Sequence, residues 1–364
     1  MNYKILAVYP KRYATQIGLF LGKKELARRE IRHDAEELGK FASFPEQWSH
    51  RMLAAEGLLS EPGMENIISS FDAVIGPAGV LGEAPGGVYE VDGDLLGRLK
   101  RHDSYEHPSD VGAPLADALA RQRRAKAFVA APISADEIDE LSKLSGVPEL
   151  RFGRKMHTLN IKEAVYRASD ELEIPFDKIS VVVAHLGKSF SICAHRGGRV
   201  IDLANADERG PFSPCRSGGV MASSLIRMAY SGKWSADELV NKALFSGGMS
   251  SYIGTDDLVQ LATRLVHGDE LASLVFRSMS YQIAQEIAAQ ATVLKGRVDA
   301  IILTGGCAHD HIFSGIISER VRWISKILIY PGEDELRAMA GAAVRVLSGR
   351  ETPLKYAEAV NKPQ

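Results

Sequence analysis

Ile179-Ser180-Val181-Val182-Val183-Ala184-His185-Leu186-Gly187-Lys188-Ser189-Phe190-Ser191-Ile192-Cys193-Ala194-His195-Arg196-Gly197-Gly198-Arg199-Val200-Ile201-Asp202 decides the fold of this chain. The four apolar residues Val181–Ala184 read as a buried strand that runs into a polar glycine turn at His185–Ser189. Phe190–Ala194 alternates as a returning strand, Arg196–Gly198 turns again, and Val200–Asp202 continues as a third strand. A strand that ends in such a turn and returns antiparallel can hold backbone N–H groups against a phosphate. An earlier copy stands at Ile5–Val8, Tyr9–Thr15 and Gln16–Leu21, before the Gly22-Lys23 turn. Each half thus opens in the same way, as in a duplicated fold with one phosphate hairpin per half; two ordinary hairpins of an α/β protein fit the pattern equally well.

The chain has 364 residues, enough for two cores. Apolar content of 45%, charged content of 25% and a net charge of −2 are those of a globular protein without a general electrostatic hold on nucleic acid or anionic membrane. Cys193, Cys215 and Cys307 are unclustered, so neither a disulfide framework nor a metal knuckle is supported. No apolar run approaches membrane-spanning length, and the cytoplasm is the expected location.

Outward from the two hairpins, residues 25–59 alternate charged and apolar side chains at helical spacing, broken at Phe44-Pro45. Strands are expected at 71–75, 88–91, 127–130 and 298–303, with helices at 110–121, 158–172, 269–295 and 334–347. The predicted class is α/β, with a boundary near residue 155. Residues 1–155 form the first half and 156–364 the second, the last helix packing back on the first half.

Thr304-Gly305-Gly306 stands where a strand meets a loop, so backbone free of side chains could approach a nucleotide there. A glycine pair at that place is more often a plain turn. Arg216 sits in a glycine-flanked loop, either solvated and salt-bridged or offering its guanidinium fork to a carboxylate or phosphoryl group. His185 reads in isolation as a core histidine. Glu333, Asp334 and Glu335 open a helix, where carboxylates usually act as caps and dipole partners, although magnesium beside a nucleotide uses the same groups. No dinucleotide or P-loop glycine pattern occurs.

Together, His185-Leu186-Gly187, Ala194-His195-Arg196, Gly198–Asp202, Gly210–Pro214, Arg216-Ser217-Gly218, Leu303–Gly306 and Tyr330–Glu335 resemble the butyrate kinase branch of the acetate kinase family, within the actin, hexokinase and Hsp70-like superfamily. Lys295-Gly296, Val298–Ile301, Glu106-His107, Gly112-Ala113 and His157 with Leu159-Asn160 also fit. The resemblance implies a duplicated ribonuclease H-like fold of two domains flanking a nucleotide cleft. It implies transfer of phosphate from ATP, with Mg2+, to a short-chain or branched fatty acid, and a homodimer or higher homo-oligomer. By the same resemblance Arg216 and His185 are the catalytic residues. Gly305 and Gly306 match the nucleotide-binding loop, Gly187, Ser189 and Thr304 are expected to bind the nucleotide with them, Lys188, Lys11 and Arg12 are expected there as cations new to the same loops, and Glu333, Asp334 and Glu335 lie where the metal-associated acid belongs.

The chain also departs from the family. The first turn reads Tyr9-Pro10-Lys11-Arg12-Tyr13-Ala14-Thr15-Gln16, without the family's asparagine, glycine, lysine and most of its hydroxyl groups. Lys188-Ser189 adds side chains to the second turn, and Pro77 stands where a substrate-side arginine is expected. Lys11, Arg12 and Lys188 are new cations at the same loops, and two outcomes stay open: they rebuild a phosphate site, or they fill the phosphate positions and block them. The rival expectation is a family member without turnover that binds a ligand or partner.

Overall fold

The structure is a computed structural model that describes residues 2–64, 70–82, 84–100, 107–133, 135–153 and 155–361; Glu106 of the matching segments lies outside them. The chain forms two compact units, Met1–Asp136 with Asp334–Gln364, and Glu137–Glu333. Residues 137–155, placed with the first half on sequence, lie in the second unit.

The first sheet contains β1 (Lys4–Lys11), β2 (Ala14–Leu21), β3 (Lys24–Arg32), β4 (Ala73–Pro77), β5 (Val88–Glu90) and β6 (Lys126–Ala130), in the order β3-β2-β1-β4-β6-β5. β1, β2 and β3 pair antiparallel, whereas β4 runs parallel to β1 and β6 parallel to β4. The second sheet contains β7 (Ser180–Leu186), β8 (Phe190–Arg196), β9 (Arg199–Asn205), β10 (Ala300–Gly305) and β11 (Ile327–Pro331), in the order β11-β10-β7-β8-β9. Here too three antiparallel strands are followed by parallel ones. The two hairpins read from sequence head the two copies of one duplicated fold.

In the first unit, Leu6 and Val8 of β1 and Ile17 and Leu19 of β2 join one core with Met52, Ala55, Leu115 and Leu119. Those partners come from the helices Trp48–Leu59 and Gly112–Arg123. The helix Glu335–Leu347 packs on β1, β2, β4 and β6. In the second unit, Val181–Leu186 are all fully buried. The helices Thr158–Leu172 and Glu270–Val293 both pack on β7, which is why this strand reads as a continuous apolar run rather than an alternating one.

Residues 24–32 correct the sequence reading. They form β3 rather than helix. The open edge of β2 offers a backbone ladder from Ala14 to Leu21, and pairing with it outweighs the local helical signal. The charged side chains of this segment suit an exposed edge.

Buried histidines, His33 and His195 among them, make stability depend on pH. Burial, with Arg51 and His50 nearby, pushes His33 down to about 4. Burial and the Lys162 ammonium hold His195 well below the usual range. Unfolded, each titrates near 6.5. Above that pH both states are neutral; below it only the unfolded chain takes up protons, so stability is lost as pH falls. The expected loss is about 1.4 kcal/mol per pH unit and histidine once the pH is well below 6.5. Urea unfolding at pH 7.5 and 5.0 should therefore show a clearly lower midpoint at the acid pH, and equal midpoints would refute the argument.

Candidate functional site

The second unit gathers polar groups at the ends of β7 and β10. His185 and Thr304 face each other in the parallel ladder. Asn160, one turn along the helix Thr158–Leu172 from His157, places its side-chain oxygen 2.7 Å from His185 Nδ1, and Thr304 Oγ1 donates to the same oxygen at 3.1 Å. The Asn160 amide nitrogen donates to the Gly332 carbonyl at 3.4 Å. That carbonyl fixes which way the amide faces. Oδ1 must therefore accept from His185, so Nδ1 carries the ring proton and Nε2 is bare.

The His157 ring stacks on His185 with centroids 3.9 Å apart, and its Nδ1 meets Ser191 Oγ at 2.9 Å. Burial, with His157 adding to it, holds His185 well below the usual histidine range, so the ring is neutral. Glu333 Oε2 lies 3.4 Å from Nε2, within ion-pair distance, yet Nε2 makes no hydrogen bond among the described residues. We read this pair as proximity without a salt bridge, because a neutral imidazole brings no charge to it.

The turn after β7 is drawn inward by its carbonyls. Lys188 O accepts from Ser213 Oγ at 2.7 Å, from Cys215 Sγ at 3.2 Å and from Cys215 N at 3.3 Å; Gly187 O accepts from Cys307 Sγ at 3.3 Å. These bonds seat the Arg216 loop on the turn. The Lys188 side chain instead points outward, 75% exposed, with its ammonium 2.7 Å from Asp256. Ser189 is half-buried at the tip.

Arg216 N donates to Ser213 Oγ, and Arg216 O accepts from Ser213 N, each at 3.1 Å. Its guanidinium lies 5.1 Å over the Phe245 ring. Nε is 2.9 Å from Asp207 Oδ1 but makes no hydrogen bond among the described residues, so that pairing is Coulombic rather than a directed bond.

Gly305 at the end of β10 and Gly306 just after it differ in purpose. Gly305 has φ +90°, and a Cβ there would lie 2.5 Å from the Leu186 carbonyl oxygen, so close strand packing demands glycine. Gly306 is exposed, and a Cβ there would meet nothing within 4 Å. Only Gly306 leaves open backbone.

The acids also separate. Among the described residues no three His, Cys, Asp or Glu side chains gather as a metal cage. Glu333 is at the His185 cluster. Asp334 begins a helix of the first unit, where both its oxygens lie 2.7 Å from Arg28 Nη2 and Oδ1 accepts from Arg337 N at 3.1 Å. Burial would raise its pKa, but the bonds from Arg28 and Arg337 hold it below the usual value. It serves there as helix cap and ion-pair partner, and Glu335 stands in the same first turn. Lys11 and Arg12 also belong to the first unit, at the β1–β2 turn. Lys11 Nζ is 3.5 Å from Glu30, and the Arg12 guanidinium lies 5.6 Å from the Tyr13 ring centre.

The structure thus brings His185, Gly187, the Lys188 backbone, the Arg216 loop, Thr304–Gly306 and Glu333 to one place. Sequence reasoning gave no role to His157 and Asn160, although their three-residue spacing on one helix face was a signal that they would act together.

The acetokinase family matches residues 155–318. "Probable butyrate kinase 2" of Caldanaerobacter subterraneus subsp. tengcongensis is 37% identical over 354 residues, covering 97% of this chain and 99% of that protein. "Butyrate kinase 2" of Clostridium acetobutylicum is 36% identical, covering 98% of this chain and all of its own length. Among solved structures, the acetate kinase of Porphyromonas gingivalis superposes with a TM-score of 0.79 at 17% identity, over 95% of this chain and 100% of that one. A propionate kinase of Francisella tularensis gives 0.72 at 16% identity, over 93% and 98%. At these identities the structures speak for the fold alone.

Proposed function

Because the chain belongs to the acetokinase family, we propose that it phosphorylates a short-chain or branched fatty acid from ATP, giving an acyl phosphate and ADP. The observation that carries this reading is the seating of the Arg216 loop on the turn that follows His185, through three bonds to one carbonyl. An aliphatic carboxylate is already ionised at neutral pH, so no general base is needed. The work left to the protein is to align two anions and stabilise the charge of the transferring group.

In this reading Arg216 offers its planar fork to the phosphoryl oxygens. His185, held by Asn160 and His157, forms a rigid wall of the same site. Gly306 lets backbone approach the nucleotide, and Lys11 and Arg12 contact phosphate. Magnesium typically takes one or two carboxylates plus substrate phosphates, and Glu333, which stands at the His185 cluster, suits that donor set better than Asp334, whose two oxygens are bonded by Arg28. When bound, the ion would neutralise phosphate charge.

The test is hydroxylamine trapping of acyl phosphate from ATP and a panel of C2 to C6 straight and branched acids. Product with one of them supports the proposal; folded protein that yields none with any acid sinks it. The rival, a binder without turnover, is favoured by the glycine-free first turn and Pro77. It predicts nucleotide-dependent thermal stabilisation with no product.

We further infer a homodimer seated on the helices Ala222–Ala229 and Ala236–Leu244. Neither buries a single residue, although they carry Leu225, Ile226, Met228 and Val240. Exposed apolar helix faces of this kind mark association surfaces. Sedimentation equilibrium should return twice the chain mass, and Ile226→Glu with Val240→Glu should return the chain mass. A monomeric unmodified protein would remove the inference.

A further inference from the structure

A buried cation with no carboxylate partner among the described residues lies under the first hairpin. Arg51, on the helix Trp48–Leu59, is 0% exposed. Every N–H of its guanidinium is used. Nε and Nη2 donate to Gln47 Oε1 at 3.1 and 2.9 Å, Nη1 donates to Ala14 O at 2.9 Å and Thr15 Oγ1 at 3.2 Å, and Nη2 donates to Arg12 O at 3.1 Å. Burial alone lowers its pKa to about 10. Thr15 Oγ1 is in turn 2.8 Å from His33 Nε2, which extends the network to the end of β3.

An uncompensated buried charge is costly, so what its donors hold matters. They hold the turn between β1 and β2. A trans peptide points its C=O and N–H in opposite directions. With the Arg12 carbonyl drawn onto Arg51, the Tyr13 N–H points away from the guanidinium. Arg12, Tyr13 and Ala14 all have side chains, so this turn cannot rely on glycine to adopt its shape; the guanidinium supplies the constraint from below. A lysine at position 51 would keep the charge without the planar fork that reaches Arg12, Ala14, Thr15 and Gln47 together.

We propose that Arg51 is a positioning residue that shapes the Lys11–Ala14 turn into a site for the phosphate groups of the donor nucleotide. The inference rests on the reading of Lys11 and Arg12 as phosphate contacts given above, and it goes beyond that reading by assigning the residue that sets their geometry. Arg51 touches no ligand itself.

The experiment is calorimetric titration of the full chain with MgADP, paired with the KM for the carboxylate. Arg51→Lys is expected to weaken MgADP about tenfold, the loss of one or two charge-assisted bonds, while the carboxylate KM stays within about twofold. Lys11→Ala with Arg12→Ala is expected to weaken MgADP similarly, and Arg51→Lys added to that pair should do little more. Gln47→Leu, which removes the acceptor shared by Nε and Nη2, is a milder variant for the case that Arg51→Lys does not fold, with about threefold weakening expected. If the Lys11 and Arg12 pair weakens MgADP but folded Arg51→Lys or Gln47→Leu does not, the positioning role is wrong. Equal loss of affinity for acid and nucleotide also overturns it, since a merely structural residue would act that way. Unchanged MgADP affinity in the Lys11 and Arg12 variant instead overturns the phosphate-loop reading, and the inference with it.

Discussion

Arg216→Ala should lower the rate of acyl phosphate formation about 1000-fold, roughly 4 kcal/mol of transition-state stabilisation, and leave the fold intact. The fold is spared because the loop is held by groups that alanine keeps. Arg216 N still meets Ser213 Oγ, Arg216 O still meets Ser213 N, and Lys188 O still binds Ser213 and Cys215. What is lost is the guanidinium over Phe245 beside Asp207. Asp207 is itself partly exposed, so water can solvate it when the arginine is gone. The deficit should fall on kcat, because a phosphoryl group gathers charge on its outer oxygens chiefly in the transition state. Arg216→Lys should recover only part of the rate, since a point charge cannot reproduce a two-pronged contact. An alanine variant that retains more than a tenth of wild-type kcat would show that Arg216 is not the catalytic arginine.

Gly248→Ala reaches the same loop through packing. Gly248 has φ +57°, and a Cβ there would lie 1.9 Å from the Ser213 carbonyl oxygen and 2.4 Å from that of Arg216. Both obstacles are backbone. The next two amides of the short helix Gly248–Ile253, Met249 N and Ser250 N, donate to Ser213 O at 3.0 Å and to Pro214 O at 2.9 Å. An added methyl must push the loop off those donors. The expected cost is about 2 to 4 kcal/mol, from the left-handed backbone, the displaced carbonyls and two weakened bonds. Because the displaced segment carries Arg216, activity should fall at least about tenfold even where the protein stays folded. Gly306→Ala is the control: with open space around the new methyl, urea unfolding should shift by no more than about 0.5 kcal/mol, and any change should appear in nucleotide binding. A stable, fully active Gly248→Ala protein would mean that the loop yields freely, contrary to the close contacts described.

Both substitutions act on contacts between segments far apart in sequence, and this is where reading the chain reached its limit. Val181–Ala184 announced a buried strand because four apolar residues in a row suit a strand covered on both faces. The Glu270–Val293 helix announced itself by apolar residues at three and four spacing over more than six turns. Residues 24–32 misled because a short mixed segment has no decisive period of its own; the free edge of β2 decided it. Gly305 and Gly306 look alike on paper, yet one is required by the Leu186 backbone and the other faces open space. Lys188 promised a cation for phosphate, and its ammonium turns out to pair with Asp256.

The sequence by itself determined the two hairpins and the α/β class, because periodicity and turn chemistry are local and survive in single segments; the duplication and the family came from its resemblance to known kinases over many ordered segments. The tertiary structure alone decided which nitrogen of His185 carries the proton, why Asp334 is spoken for while Glu333 sits at the cluster, and what Arg51 does beneath the first turn. Each of those depends on hydrogen bonds whose partners lie tens to hundreds of residues away, and such bonds leave no period in the chain that makes them.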